Sequence, residues 1–320
     1  MSLPNFFYNP RMMQYNFGPQ HPLKPERLAL TMKLLGELDA YAPIDPGTGD
    51  VEDVRRVHDA EYIDKVRELS IERPKSEDEA AEAYAFGFGA GDNPPFGGMY
   101  EAALAYVAGS AAAARKVNDG APLAYGIAGG LHHARRRQAS GFCIFNDCSI
   151  ACHILREKFD KVAYVDIDVH HGEGVQWIFE DDPTVLTCSI HESGRTLYPG
   201  SGFRQETSKE KAIVNVPVDA GTTGPEWIAA FEHDIMPPLK EFNPGAIVLQ
   251  MGTDTHYLDP LAHINSNAND WLKAVRMVRD LHIPIVALGG GGYNLTTVPR
   301  MWAAACLSLD MREVPERLLD

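Results

Sequence analysis

The stretch Val162-Ala163-Tyr164-Val165-Asp166-Ile167-Asp168-Val169-His170-His171-Gly172-Glu173-Gly174-Val175 decides the fold and points to the chemistry. An apolar run of strand character passes directly into three acids and two histidines and ends among glycines. Alternate side chains of an extended segment point to opposite faces, so Asp166, Asp168 and His170 are expected on one face as the strand reaches its carboxyl end. Two of the three can grip one divalent metal, leaving the third to orient a neighbour.

Working outward, short β-rich runs alternate with longer helical patterns. The expected strands are 123–127, 162–168, 185–190, 213–216, 246–251 and 283–288, each apolar over most of its length, as strands buried on both faces are. The expected helices are 25–38, 60–69, 99–117, 147–158, 225–240, 268–281 and 298–308. This alternation predicts an α/β fold: a single domain over residues 1–320 with a mostly parallel central sheet and helices on both faces. No repeat, low-complexity tract or interdomain linker interrupts it, and Pro/Gly-rich stretches at 43–49, 91–98 and 194–202 read as surface loops.

Ligands of such sheets bind beyond the carboxyl ends of the strands, where four loops deliver chemistry. Gly129-Gly130-Leu131-His132-His133 follows the strand at 123–127, and Asp168 and His170 end the next. Asp254 follows 246–251, and Gly289-Gly290-Gly291-Gly292-Tyr293 follows 283–288. Catalytic zinc usually takes three protein ligands and keeps one position open; Asp168, His170 and Asp254 are the expected three, and so oxygen-rich a set also admits Fe(II). The tandem His132-His133 suits proton transfer, with Asp166 and Glu173 as the spare acids that orient them. Four successive glycines require close backbone approach or unusual dihedrals, and Tyr293 after them is placed to donate to a developing oxyanion. The run lacks Gly-Lys-Ser/Thr and is not a phosphate loop.

Composition sets the bounds. A formal charge of −15 with 45% apolar residues gives a full core and no basic surface for nucleic acid or an anionic membrane. It suits a substrate carrying positive charge. No apolar run reaches membrane-span length, and the N-terminus lacks the basic-then-apolar layout of a secretory signal. Cys143, Cys148, Cys152, Cys188 and Cys306 are an odd set without a Cys-x-x-Cys pair, which reads as reduced thiols in a cytoplasmic protein.

These residues resemble the zinc-dependent histone deacetylase superfamily, in particular its bacterial acetoin-utilisation (AcuC)-type members. The matching stretches are His21–Arg27, Gly129–Ala134, Gly141-Phe142-Cys143-Ile144-Phe145-Asn146-Asp147, Asp166–Val175, Ser189–Glu192, Tyr198-Pro199-Gly200, Gln250–Asp254 and Gly289–Asn294, in family order over nearly the whole length. The resemblance implies an arginase/deacetylase-like fold and hydrolysis of N-acetyl amides, foremost acetyl-lysine in proteins or peptides, with acetylpolyamines as the alternative substrate on the same scaffold. It implies zinc on Asp168, His170 and Asp254. It makes His133 the general base and acid, with Asp166 orienting His132 and Glu173 orienting His133, and Tyr293 polarising the acetyl carbonyl. Phe142 and Tyr198 would wall the acyl-lysine tunnel, Gly141 and Gly291 would meet substrate, Asp92 would hold substrate backbone at the rim, and Arg27 would lie where acetate leaves. A structural K+ near Asp166, Asp168, His170, Ser189 and Ile190 is implied in the same way. Two departures stand out: many relatives carry Asp or Asn at the position of Glu173, and many carry Phe at that of Tyr198. Weaker rivals are an arginase-like binuclear hydrolase and a non-catalytic binding member.

Overall fold

The computed structural model describes residues 4–320. Seven strands form one sheet: β1 (Asn5–Phe6), β2 (Leu123–Gly126), β3 (Val162–Asp166), β4 (Val185–Glu192), β5 (Ile213–Val218), β6 (Ala246–Gln250) and β7 (Ile285–Leu288). Their order is β1-β2-β7-β6-β3-β4-β5 and every pairing is parallel. All residues of β3, β4, β6 and β7 are buried. Because alternate residues face opposite ways, both sides of the central sheet must be covered. Helices do this: α5 (Met99–Asn118) and α6 (Asp147–Leu155) pack together against the sheet, while α1 (Glu26–Glu37), α10 (Ala268–Arg279) and α11 (Thr297–Leu309) pack on one another. Trp271 and Trp302 tie α10 and α11 to the end of β6, their indole N–H groups donating to the carbonyls of Gly252 and Met251 at 2.7 and 2.8 Å.

From β3 the chain steps outward through β4 to β5, then returns to lay β6 on the other side of β3 and β7 beyond it. The chain therefore parts in opposite directions at the carboxyl ends of β3 and β6, the place where such sheets form a ligand crevice. Asp168 and His170 leave β3 there, and Asp254 leaves β6.

The expected α/β architecture is present, with corrections in detail. Strand β3 ends at Asp166, not 168, so Asp168 and His170 sit on the loop beyond it. The helix expected over 225–240 is split into α8 (Gly224–Ala230), a wider π turn (Phe231–Ile235) and α9 (Met236–Phe242), because Pro237 and Pro238 carry no N–H for the helical ladder. Helix α3 begins at Ala60 as expected and runs on to Ile71, two residues past the expected end; unanticipated are the two-residue edge strand β1, α2 (Val51–Val54), α4 (Glu77–Ala85) and α7 (Glu173–Ile178). Helix α4 did carry a signal: Ser76 caps it by accepting from Glu79 N at 3.2 Å, and acids fill its first turn.

Candidate active site and metal centre

Asp168, His170 and Asp254 are buried and converge. Asp168 Oδ2 accepts from Gln250 Nε2 and from the Gly291 N–H, both at 2.7 Å, and Asp254 Oδ1 accepts from Val169 N at 2.9 Å. These bonds leave Asp168 Oδ1, Asp254 Oδ2 and His170 Nδ1 turned toward one point. The His170 nitrogen is 3.1 Å from each carboxylate oxygen, and the three residues offer ligand atoms all within 4.8 Å of one another. The electrostatics call for a cation. Burial and the charge of Asp168 push the Asp254 carboxyl up to about 7. Burial pulls His170 down, but the two acids overcome it and raise the imidazole to about 10. An O/N/O donor set at a place that attracts positive charge fits a divalent metal.

The two loop histidines flank this centre. His132 Nδ1 donates to Asp166 Oδ2 at 2.8 Å, and His133 Nδ1 donates to Glu173 Oε2 at 2.6 Å. Both Nε2 atoms thereby point inward and lie 3.0 Å apart. Burial lowers both imidazoles, with opposite outcomes. For His132 the charges of Asp166 and Asp168 win and set it at about 9. For His133 burial wins over Glu173, leaving it at about 4. The extra methylene of Glu173 is accommodated: its second oxygen accepts from Ser140 Oγ at 3.4 Å, and the carboxylate heads α7, where negative charge is favoured.

The loop is clamped from both sides. Asp147 accepts from the N–H groups of Gly130 and Leu131 at 2.9 and 2.8 Å and from Ser110 Oγ at 2.6 Å. Asn146 Nδ2 donates to the carbonyls of His132 and Ala134 at 3.1 and 2.8 Å, while its Oδ1 caps α6 through Ser149 N.

Above the histidines lies a narrow cavity lined in part by His132, His133, Gly141, Phe142, Gly291 and Tyr293. The Phe142 and Tyr293 rings meet edge-on at 5.7 Å, and Tyr198 packs on His133 at 5.1 Å. Tyr198 OH and Ser140 Oγ share a hydrogen bond at 2.5 Å, which gives the phenol its polar partner. Gly141 has φ +49°, and a Cβ there would overlap the His133 ring, so glycine is required where the wall meets the base. Gly291 lines the cavity, but its N–H supports Asp168, and a Cβ on it would overlap Asp254 Oδ2. Tyr293 is half-buried, and its N–H donates to Asp259 Oδ2 at 2.7 Å. Arg27 is buried beside the same cavity, stacked 5.1 Å from Trp302 and donating to Gly290 O at 2.7 Å and Gly292 O at 3.1 Å. Asp92 stands exposed on the rim, its carbonyl facing His21 Nε2 at 3.1 Å. Of the residues implied for K+, Ser189 pairs with Asp166 across β4 and β3, with Ile190 next along β4.

Supporting residues went unassigned from sequence. Gln250, Tyr164 (OH to Asp166 Oδ2, 2.7 Å), Asn146, Asp147 and Asp259 all hold functional side chains or their loops. Tyr164 was within reach, since it stands two residues before Asp166 on the same strand face.

The site is that of an α/β hydrolytic enzyme with a charge-split histidine pair beside a residue set able to hold a metal. Comparison with known proteins gives the family. The histone deacetylase domain matches residues 21–309, and the chain belongs to that family, whose members hydrolyse acetylated amides. It is 37% identical to the acetoin utilization protein AcuC of Bacillus subtilis, covering 95% of this chain and 81% of the relative. It is 34% identical to the histone deacetylase clr6 of Schizosaccharomyces pombe, over 98% and 78%. A solved structure, the acetylpolyamine aminohydrolase of Burkholderia pseudomallei, superposes with TM-score 0.85 at 25% identity, covering 96% of this chain and 98% of that one. No helix among the described residues is long and apolar enough to cross a membrane.

Proposed function

We propose that the protein removes acetyl groups from acetyl-lysine side chains of proteins or peptides, with zinc held by Asp168, His170 and Asp254. The observation that carries this reading is that Gly141, Phe142 and Tyr293 line one cavity with the His132–His133 pair, and that the His133 ring stands 5.8 Å from His170 of the metal-ligand set. An uncharged acyl-lysine arm enters such an aromatic slot at modest desolvation cost. The five cysteines, free and buried, support the cytoplasmic compartment expected from the sequence.

Bound zinc would polarise the acetyl oxygen and bring a water pKa to roughly 7; Fe(II) suits the same oxygen-rich set. His133, neutral because it is buried, takes the proton of the attacking water at Nε2. Its low proton affinity then makes it a ready donor to the departing lysine amine. His132, held charged by Asp166, faces it and stabilises negative charge as it develops. Tyr293 donates a hydrogen bond from its phenol O–H to the acetyl oxygen and keeps its proton. Phe142 and Tyr198 flank the methylene arm, Gly141 offers its carbonyl to the substrate amide, and Gly291 keeps Asp168 in place. Asp92 takes substrate backbone N–H groups at the rim, and Arg27 lies on the path by which acetate departs. Potassium near Asp166, Asp168, His170, Ser189 and Ile190 would brace the end of β3.

The likeness to an acetylpolyamine aminohydrolase favours a second reading in which the acyl donor is a polyamine. Zinc-loaded enzyme assayed with acetyl-lysine peptides and N-acetylspermidine separates them. Faster turnover of the peptides is expected; a preference for acetylspermidine would overturn the lysine assignment.

A further inference from the structure

An open groove of about 470 Å³ runs sideways from the tunnel mouth. It shares Gly141 with the cavity at the histidines, and its lining also holds Ser140 and Tyr198, the ring that packs on His133. The rest of its lining is Tyr84, residues of the segment 87–93, and Arg135, Gln138 and Ala139. Its size is that of a ligand site.

Arg135 is the cation of this lining, and it is fixed there. Its guanidinium lies 4.4 Å from the centre of the Trp177 ring, Nη1 donates to Gln138 Oε1 at 3.2 Å, Nε is buried without a partner, and Nη2 makes no hydrogen bond. The nearest carboxylate oxygen, Glu173 Oε1, is 3.9 Å away, and Glu173 is already engaged by His133. The side chain keeps 40% of its surface exposed. A pre-oriented guanidinium with unused donors on the wall of a groove is a carboxylate receptor. The exposed Tyr84 side chain, at 75%, adds apolar area to the same lining.

Resting on the acetyl-lysine reading, we infer that this groove binds the chain flanking the acyl-lysine and selects peptides with an acidic side chain next to it, received by Arg135. The same lining supplies the acceptor, Asp92, so a segment lying in the groove finds an anion for its N–H groups and a cation for its carboxylate. A cationic polyamine tail leaving the tunnel meets the guanidinium instead, a repulsive element that discriminates between the two substrate classes. The overall charge of −15 points to basic partners, but screening confines the choice to charges within about 10 Å; of the two in this groove, Asp92 is taken up by backbone N–H groups, which leaves Arg135 to read the flanking side chain.

The test uses zinc-loaded enzyme and capped acetyl-lysine peptides that differ only in one neighbouring residue, Glu, Gln or Lys, together with N-acetylspermidine and a capped acetyl-lysine amide lacking any flank. The wild type should prefer the Glu peptide over the Lys peptide about tenfold in kcat/KM, chiefly through KM, with the preference shrinking as salt rises. Arg135→Gln should level the series, Arg135→Glu should invert it, and Trp177→Ala, which leaves the charge but frees it, should weaken it. Ratios between peptides cancel any effect of these changes on the chemical step. Equal or better use of the Lys peptide or acetylspermidine by the wild type, or an unchanged ratio in Arg135→Gln, would overturn the inference. Turnover of the flankless amide with no peptide preference sinks the groove assignment alone; failure of every enzyme to cleave that amide sinks the acetyl-lysine reading with it.

Discussion

The Nε2 atoms of His132 and His133 lie 3.0 Å apart while each ring gives its Nδ1 proton to its own acid, Asp166 or Glu173. Two bare nitrogens at that distance would repel, so one proton sits between them, and the surroundings place it on His132. The pair titrates as a unit, with one member charged and the other free to accept across the neutral range. Activity should therefore fall on the alkaline side as His132, near 9, loses its proton. Asp166→Asn removes a charge that raises His132, so its alkaline limb should move to lower pH. Glu173→Gln removes a charge that raises His133, near 4, and should shift the acid limb downward. Profiles of kcat/KM against pH check both; an alkaline limb that stays put in Asp166→Asn would refute the assignment.

Tyr293→Phe should lower kcat about 10²–10³-fold, the scale of one oxyanion donor, with bound metal unchanged. Asp254→Ala should lose metal and turnover together, because it removes one of three converging ligand atoms. Metal content measured beside kcat separates the two roles, and full metal occupancy in Asp254→Ala would exclude that residue as a ligand.

Asn146 performs two tasks with one amide: Oδ1 caps α6, and Nδ2 holds the carbonyls on either side of His133. Asn146→Asp keeps the cap and loses both donations. Its kcat should drop up to about 10²-fold, as expected for a slight misplacement of reacting groups, while KM stays near the wild-type value. Asn146→Ser, also a good cap, should behave alike. Unaltered kcat in both would show that the loop holds itself.

His58 is buried and accepts from Asn146 N at 2.9 Å, with Nδ1 facing the Arg136 carbonyl at 3.3 Å. Burial lowers it to about 3, so it is neutral when folded. In the unfolded chain it protonates near 6.5, and the unfolded state then binds more protons than the native one. Its effect on stability is nil above 6.5 and grows as the pH falls toward 3, reaching up to about 5 kcal/mol there. His58→Gln should therefore flatten the loss of unfolding free energy between pH 6 and 4, read by denaturant titration. A slope equal to that of the wild type would rule this out.

Much of this was legible in the sequence because burial on two faces leaves an unbroken apolar signature: β2 to β7 were all anticipated near their observed positions. The convergence of Asp168, His170 and Asp254 and the histidine pair were legible too, since each follows a strand end, where such sheets gather chemistry. Less legible was everything fixed by register. Gln250 reaches Asp168 because β6 pairs with β3 so that Asp166 stands beside Gln250, and no local pattern announces that pairing. The end of β3 was overshot by two residues because Ile167 and Val169 continue an alternation that the backbone abandons once Asp166 accepts from Asp168 N. The glycines of His171-Gly172-Glu173-Gly174 hid α7, which begins at Glu173.

The parting of the chain between β3 and β6 has a mechanical result. Asp168 and His170 hang from one side of that seam and Asp254 from the other, so an ion clasped by all three rivets the two flanks of the sheet together. An ion that binds the native chain alone raises unfolding free energy by about 4 kcal/mol at a thousand times its dissociation constant. Stripping it with a chelator should lower the melting temperature along with the turnover, and zinc should restore both in step. An ion held in this way would fasten durability and catalysis to the same atom.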